Sequence, residues 1–343
     1  MTSFIFTSLN VQIMQKRLLA TLILISLFIS PFAQAEIKDQ VAVDKFINKM
    51  VEQHEFDHAE LVTLFQSVEV KPKIIAAMTR PAEGMPWYKY RKIFIRDSRI
   101  QGGVKFWQDN LISLTTMQKI YGLPEEIIIA IIGVETLYGK RTGGHRVIDA
   151  LATLGFEYPK RSAFFLSELE QFLLLCREEQ MNPLEPVGSY AGAMGMPQFM
   201  PSSYRNFAAD YEGDVKRDIW NNPSDAIASV ANYFVKHHWQ PGKDIAFPVK
   251  AKGEQYKQAL SKGLKPDMNA AQLKALRIQL PEQIADDEPL KLLSFEQQKG
   301  QDLWVGLENF YVITRYNHSA LYALAVLQLS QAIKQQYIIT TNE

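Results

Sequence analysis

Cysteine is almost missing from this sequence. Cys176 stands alone beside the apolar run Phe172-Leu173-Leu174-Leu175, so no disulfide can close within the chain and the thiol reads as a small core side chain. Surplus charge is missing too. Lys plus Arg and Asp plus Glu both number 37, which gives none of the one-signed field that nucleic-acid binders present, and nucleic acid is not an expected partner. His145 has no second ligand at metal spacing, so a zinc site is not expected. Long apolar runs are also scarce. The one near the start, Leu18 to Ile29, follows Lys16 and Arg17 and precedes the small-residue pattern Ala33-Gln34-Ala35. It is short for a membrane span, so residues 1–35 read as a signal peptide and the mature chain is expected in the periplasm; left uncleaved, the same run is a membrane anchor. Glu36 follows Ala35 where a lipid-modified N-terminus needs a cysteine.

What the chain does have is enough hydrophobic residue for a sizeable core, in one large domain or two medium ones. Apolar spacing predicts helices between Val41 and Met78, over 96–122, from Val147 to Leu154, from Ala163 to Glu179 and over 224–239 with Ser224 as cap. The aromatic and basic segment Met85 to Phe94 reads as a loop packed on the core or a sugar-facing surface. Strands are expected at Ile245-Ala246-Phe247-Pro248-Val249 and around Leu290-Leu292-Leu293, with a short helix from Asn269 to Leu276 between them. A final helical unit runs from Tyr311 to Ile333.

Two stretches carry chemistry. Leu123-Pro124-Glu125-Glu126 begins a very apolar helix that contains Ile131-Ile132-Gly133-Val134-Glu135 and is expected to stop at Gly139, which puts Glu135 in its last turn. Burial penalises the charged form of a carboxyl, so Glu135 reads as an acid kept protonated for use; an ordinary surface glutamate is the alternative. The second stretch runs from Gly188 to Tyr204. Its small residues allow close backbone approach, and Ser189, Tyr190 and Gln198 supply isolated polar groups, so it reads as a groove wall or as a tight helix–helix contact.

Gly133-Val134-Glu135-Thr136 with Gly139, then Ala191-Gly192-Ala193-Met194-Gly195 with Gln198-Phe199-Met200-Pro201-Ser202-Ser203, then Arg315-Tyr316-Asn317-His318-Ser319 with Tyr322, resemble in order the motifs of lytic murein transglycosylases of the membrane-bound B type and their soluble relatives. The resemblance implies a mainly α (α+β) protein: a lysozyme-like helical core, an N-terminal helical region and a small strand-containing insertion. The boundaries expected are 36–240 for the N-terminal region and catalytic core, 241–310 for the insertion and 311–343 for a segment returning to the core.

It also implies cleavage of the MurNAc–GlcNAc β-1,4 bond of peptidoglycan without water, with Glu135 as acid and then base and a 1,6-anhydroMurNAc end as product. No cofactor is required for that chemistry. Ordinary glycosidases use two carboxylates, and none in sequence near Glu135 sits in a matching motif: Glu125 and Glu126 lie upstream, Asp149 beyond a glycine loop. By the same resemblance Ser189 and Gln198 contact substrate, Tyr90, Tyr190, Tyr316 and Tyr322 line the groove, Asn317 is a polar contact, and Lys160 and Arg161 meet stem or lactyl carboxylates. The family's calcium loop maps onto Asp210, Glu212, Asp214 and Asp225. Val215 stands where such a loop wants glycine and Asn221 where it wants glutamate, so one structural Ca2+ and a solvated acidic turn both remain readings. Glycan strands are the expected partner, other cell-wall enzymes are candidate partners, and the chain is expected to act as a monomer. A hydrolytic muramidase and a non-catalytic peptidoglycan-binding protein are the rival functions.

Overall fold

The computed structural model describes residues 37–79 and 84–342, so the expected signal peptide lies outside the described residues. The chain divides into a unit ending at Lys71 and a unit beginning at Pro72. The first contains α1 (Gln40–His54) and α2 (His58–Gln66). Asp39 and Asp57 cap them, accepting from the backbone N–H groups of Ala42 and Glu60. Phe46 of α1 meets Phe65 of α2 edge-on at 5.8 Å.

The second unit contains α3 (Pro72–Met78), α4 (Trp87–Phe94), α5 (Asp97–Asp109), α6 (Leu111–Tyr121), α7 (Glu125–Thr136), β1 (His145–Arg146), α8 (Val147–Glu157), α9 (Ser162–Glu178), β2 (Val187–Gly188), α10 (Pro201–Phe207) and α11 (Pro223–Lys236). It continues with β3 (Ala246–Ala251), β4 (Met268–Asn269), α12 (Ala270–Ala275), β5 (Ile278–Gln279), β6 (Pro289–Glu296), β7 (Gln301–Gly306), α13 (Glu308–Tyr316) and α14 (Ala320–Asn342). Its centre is α7. Ile127 through Ile132 are all buried, and a helix that is apolar all round needs cover on every side. α5, α6, α11 and α14 supply it.

The expected helix over 96–122 is two helices. Asn110 (φ −123°, ψ 25°) interrupts it, and the corner lets the Trp107 indole and the Thr115 hydroxyl both donate to Glu125, each at 2.6 Å. Glu125 is thereby satisfied at the start of α7. The unit expected from Tyr311 to Ile333 is also two helices, parted at extended Asn317. Residues Trp87–Phe94 are helical rather than a loop, with Trp87 buried against Phe295 at 5.6 Å.

Strands β4-β6-β7-β3-β5 form one antiparallel sheet in that order, with Leu293 opposite Trp304 and Phe247 opposite Val305. Alternation sends Val249, Leu292, Leu303 and Val305 into a small core with Ala270, Leu273 and Ile278. β7, which sequence spacing did not announce, is the strand that joins β6 to β3.

The last turn of α7 is anchored by a ring in a glycine socket. A Cβ on Gly102, Gly103 or Gly133 would stand only 2.7–2.8 Å from atoms of Tyr138, whose hydroxyl donates to the Arg99 carbonyl at 2.6 Å. Gly133→Ala should therefore destabilise the chain by about 1–3 kcal/mol through overpacking, against less than about 0.5 kcal/mol for Gly144→Ala, where an added Cβ meets nothing within 4 Å. Urea unfolding of the two variants measures the difference.

Candidate active site

Helix α7 ends at Thr136, three residues before the expected stop. Leu137 (φ 52°) and Tyr138 (φ 60°) precede Gly139 (φ 79°) in the left-handed region, two non-glycine residues held there against their preference. Tertiary bonds hold them. The Thr136 hydroxyl donates to the Met196 carbonyl at 2.9 Å and accepts from the Gly139 N–H at 3.0 Å, while the Arg99 guanidinium donates to the Gly133 carbonyl. A cation on the last carbonyls of a helix also opposes the negative end of its dipole. Arg99 and Thr136 carry no role in the sequence reading. Thr136 lay inside a recognised motif, but Arg99 is 34 residues from its partner and gave no signal.

Glu135 thus projects from a fixed helix end. Its Oε1 accepts from the Tyr322 hydroxyl at 2.6 Å. Burial pushes the carboxyl up to about 7 from an ordinary 4.5, and the Tyr322 hydrogen bond works in the opposite direction without winning. The Tyr322 and Tyr316 hydroxyls are held well above their usual range, by burial first and then by the neighbouring Glu135 carboxyl, so both stay protonated. Their rings lie parallel at 6.5 Å, and the Tyr316 hydroxyl donates to the Pro197 carbonyl at 2.6 Å. α13 and α14 are in this way fastened to both the acid and the hairpin opposite.

That hairpin is made by 188–199. Gly188 pairs with His145, and a Cβ on Gly143 would fall 2.1 Å from the Gly188 carbonyl oxygen, so only glycine allows the backbones to meet. The Ser189 hydroxyl accepts from the Ala193 N–H at 3.0 Å and more weakly from the Ala191 N–H at 3.3 Å. With its lone pairs engaged, its own proton is left to donate outward. Gln198 takes φ 52°, and its amide nitrogen donates to the carbonyls of Gly195 (3.0 Å) and Thr142 (3.1 Å). Among the described residues no hydrogen bond joins Gln198 to Glu135. The Ser202 N–H and hydroxyl both bind buried Glu168, which seats α10.

The other expected groove residues stand on separate elements. Tyr90 packs on Trp87 and Phe94 and faces Tyr322 electrostatically; Tyr190 stands 44% exposed on the hairpin; Asn317 is exposed at the α13–α14 corner. Lys160 and Arg161 are exposed on a 3-10 turn, with the Arg161 guanidinium 4.3 Å over the Phe164 ring. No contact among the described residues links that pair to Glu135.

Among the described residues no second carboxylate acts on Glu135. Glu125 lies about 15 Å away along the helix, beyond the roughly 5–9.5 Å that separates glycosidase pairs. Asp149 is buried and held by Arg146 through two bonds of 2.8 Å, and Glu126 pairs with Lys334 at 2.8 Å. Among the described residues, then, burial and Tyr322 alone set the proton affinity of Glu135.

A second cluster sits in 210–225. Asp210, Glu212 and Asp225 bring carboxylate oxygens within 4.8 Å of one another. Asp214, expected among the ligands, is not in that cluster, because its oxygen caps the Lys216 N–H instead. Asp225, 1% exposed, accepts from the Tyr211 and Asp218 N–H groups, and its carboxyl is raised by burial first and by Glu212 besides. Val215 does take the left-handed turn (φ 72°) that favours glycine. The cap of α11 is Asn222 rather than Ser224. An all-oxygen set of this kind suits a hard cation.

The protein-family comparison matches residues 38–331 to the family described as Transglycosylase SLT domain. Membrane-bound lytic murein transglycosylase B of Escherichia coli K12 is 42% identical over 299 residues, covering 84% of this chain and 81% of that protein. Among solved structures, the soluble lytic transglycosylase SltB1 of Pseudomonas aeruginosa is 47% identical with a TM-score of 0.82, covering 86% of this chain and 99% of that one. The Escherichia coli lytic transglycosylase Slt35 in complex with calcium is 39% identical with a TM-score of 0.81, covering 90% of this chain and 98% of that one.

The raised Glu135 carboxyl has a stability consequence. The folded state holds this proton more tightly than the unfolded chain does, so Glu135 costs nothing below about pH 4.5 and its cost grows as pH rises through about 7. Glu135→Gln keeps an acceptor for Tyr322 and should stabilise the fold by about 1–3 kcal/mol at pH 8 while leaving it unchanged at pH 4.5. Denaturant midpoints of the two proteins at both pH values give the comparison; a gain at pH 4.5 equal to that at pH 8 would contradict it.

Proposed function

The chain belongs to the Transglycosylase SLT domain family and is a peptidoglycan lytic transglycosylase with a lysozyme-like helical core, and we propose that Glu135 is its single acid and base. One observation carries this assignment: a carboxyl raised to about 7 by burial, with the Tyr322 hydroxyl on Oε1 and, among the described residues, no second carboxylate acting on it. Tyr322 occupies Oε1, so Oε2 carries the catalytic proton. That proton goes to the glycosidic oxygen as the MurNAc–GlcNAc bond breaks and positive charge develops at C1. The resulting carboxylate then takes the proton of the C6 hydroxyl as that oxygen bonds to C1, closing the 1,6-anhydro ring and returning Glu135 to its acid form. The outward-facing Ser189 hydroxyl donates to the N-acetyl carbonyl of the sugar being cut. Gln198 keeps its amide oxygen for substrate. Tyr90, Tyr190, Tyr316, Tyr322 and Asn317 line the glycan path, with Lys160 and Arg161 at its rim. Export to the periplasm, action as a monomer and contact with other cell-wall enzymes complete the reading.

Mass spectrometry of soluble products from sacculi should show anhydromuropeptides with the native chain and a loss of about 10²–10⁴-fold with Glu135→Gln. Reducing-end products would mean that water, and not the C6 hydroxyl, attacks. Because the protonated form starts the reaction, kcat/KM should fall about tenfold per pH unit above about pH 7; a profile flat to pH 9 would remove Glu135 from the role.

Asp210, Glu212 and Asp225 fit one structural Ca2+, which takes no part in bond cleavage. Ca2+ at about a hundred times its dissociation constant should then add about 2.7 kcal/mol to stability, seen as a higher Tm that a chelator reverses and Asp225→Asn abolishes. Equal Tm values with Ca2+ and with chelator would leave the solvated acidic turn as the account of this loop.

A further inference from the structure

Resting on the function just proposed, we infer that the pocket between the 261–267 loop and α13 is a carboxylate subsite for the peptide stem of the glycan. The cavity measures about 540 Å³ and is walled by Lys265 on the loop and by Tyr311, Arg315 and His318 on and just after α13. Its charge is unbalanced. The one acid in the lining, Asp267, is engaged by buried Lys291 at 2.7 Å and by the Ser261 hydroxyl. Among the described residues neither Lys265 nor Arg315 makes an ion pair, so two full positive charges face the space without a counter-ion.

Arg315 is also pre-aimed. Its carbonyl accepts from the Tyr233 hydroxyl at 2.6 Å, its guanidinium lies 5.8 Å from the Tyr311 ring, and it donates to Nε2 of His318 at 3.1 Å. That last bond places the imidazole proton on Nδ1, giving His318 a donor as well. A planar fork with an adjacent lysine matches a carboxylate. Arg315 directly precedes Tyr316, the ring that stacks on the tyrosine holding Glu135, so one short helix presents groove and pocket together. A four-residue stem reaches at most about 14 Å from its sugar. The glycan itself is neutral, and its carboxylates are those of the stems or of bare lactyl groups; a cavity of this size suits the stem.

The test uses the Glu135→Gln chain, in which cleavage is suppressed, and calorimetric titration with three ligands: a disaccharide-tetrapeptide, the same compound with its carboxyls converted to methylamides, and the peptide-free disaccharide with its lactyl carboxylate. Amidation should weaken binding about tenfold. Adding Lys265→Gln or Arg315→Gln should shrink that difference to less than about twofold, with Arg315→Lys restoring part of it. Lys265 is exposed, so its replacement tests the pocket without risk to the fold. Equal binding of the amidated and free-carboxyl ligands, or a tenfold difference that survives both replacements, would overturn the subsite. So would a peptide-free disaccharide that binds as tightly as the stemmed one and weakens in the variants, since that assigns the pocket to the lactyl group. Failure of the native chain to release anhydromuropeptides would refute the proposed chemistry separately and would not alter these affinities.

Discussion

The elements packed around α7 answer to the cost of burying most of one carboxyl. The role proposed for Glu135 rests on burial outweighing the Tyr322 hydrogen bond, which holds the proton on near neutral pH. That balance needs a helix with no solvated face, which Ile127 to Ile132 provide by being buried on every side. It also needs the helix to stop just after Glu135, so that the carboxyl reaches the groove. The stop is a strained left-handed run, and Thr136, Arg99 and the Tyr138 ring in its glycine socket hold it in place.

The three segments that meet at Glu135 are tied by side chain to main-chain bonds rather than by salt bridges. Thr136 reaches Met196, Tyr316 reaches Pro197, and Gln198 reaches Thr142. A carbonyl acceptor adds no full charge to the surroundings of Glu135. An ion pair in the same place would set a cation or a second carboxylate beside the acid and shift its proton affinity. Support continues outward by the same means. The Met196 N–H donates to the Ile219 carbonyl, and the adjacent Asp218 N–H donates to the Asp225 carboxylate, so the acidic loop is joined to the 188–199 hairpin.

Much of this was legible along the chain. The apolar run before Glu135 and the small-residue stretch that forms the hairpin were visible because their residue types are dictated locally, by burial and by close backbone approach, whereas the tyrosines of the C-terminal motif were visible only through the family resemblance. The two long helical runs that proved broken were misread for a physical reason. Their apolar period continues across Asn110 and Asn317, and only the need to bring Trp107 to Glu125, or Tyr316 and Tyr322 to Glu135, explains the corners. Likewise the spacing of Asp214 fits a metal loop, yet its side chain is spent on a local turn, while Asp225 joins Asp210 and Glu212 because the next helix folds back over them.

By itself, then, the sequence determined the class of fold, the apolar helix that ends at Glu135 and the order of the motifs, since these depend on composition and on periods of a few residues. The tertiary structure alone decided that Glu135 meets Tyr322, that Arg99 and Thr136 hold the end of its helix, and that Lys265 and Arg315 share a cavity. Proton affinity and charge balance depend on which groups lie within a few ångströms, and residues 34, 60 or 187 positions apart come that close only when the chain has folded.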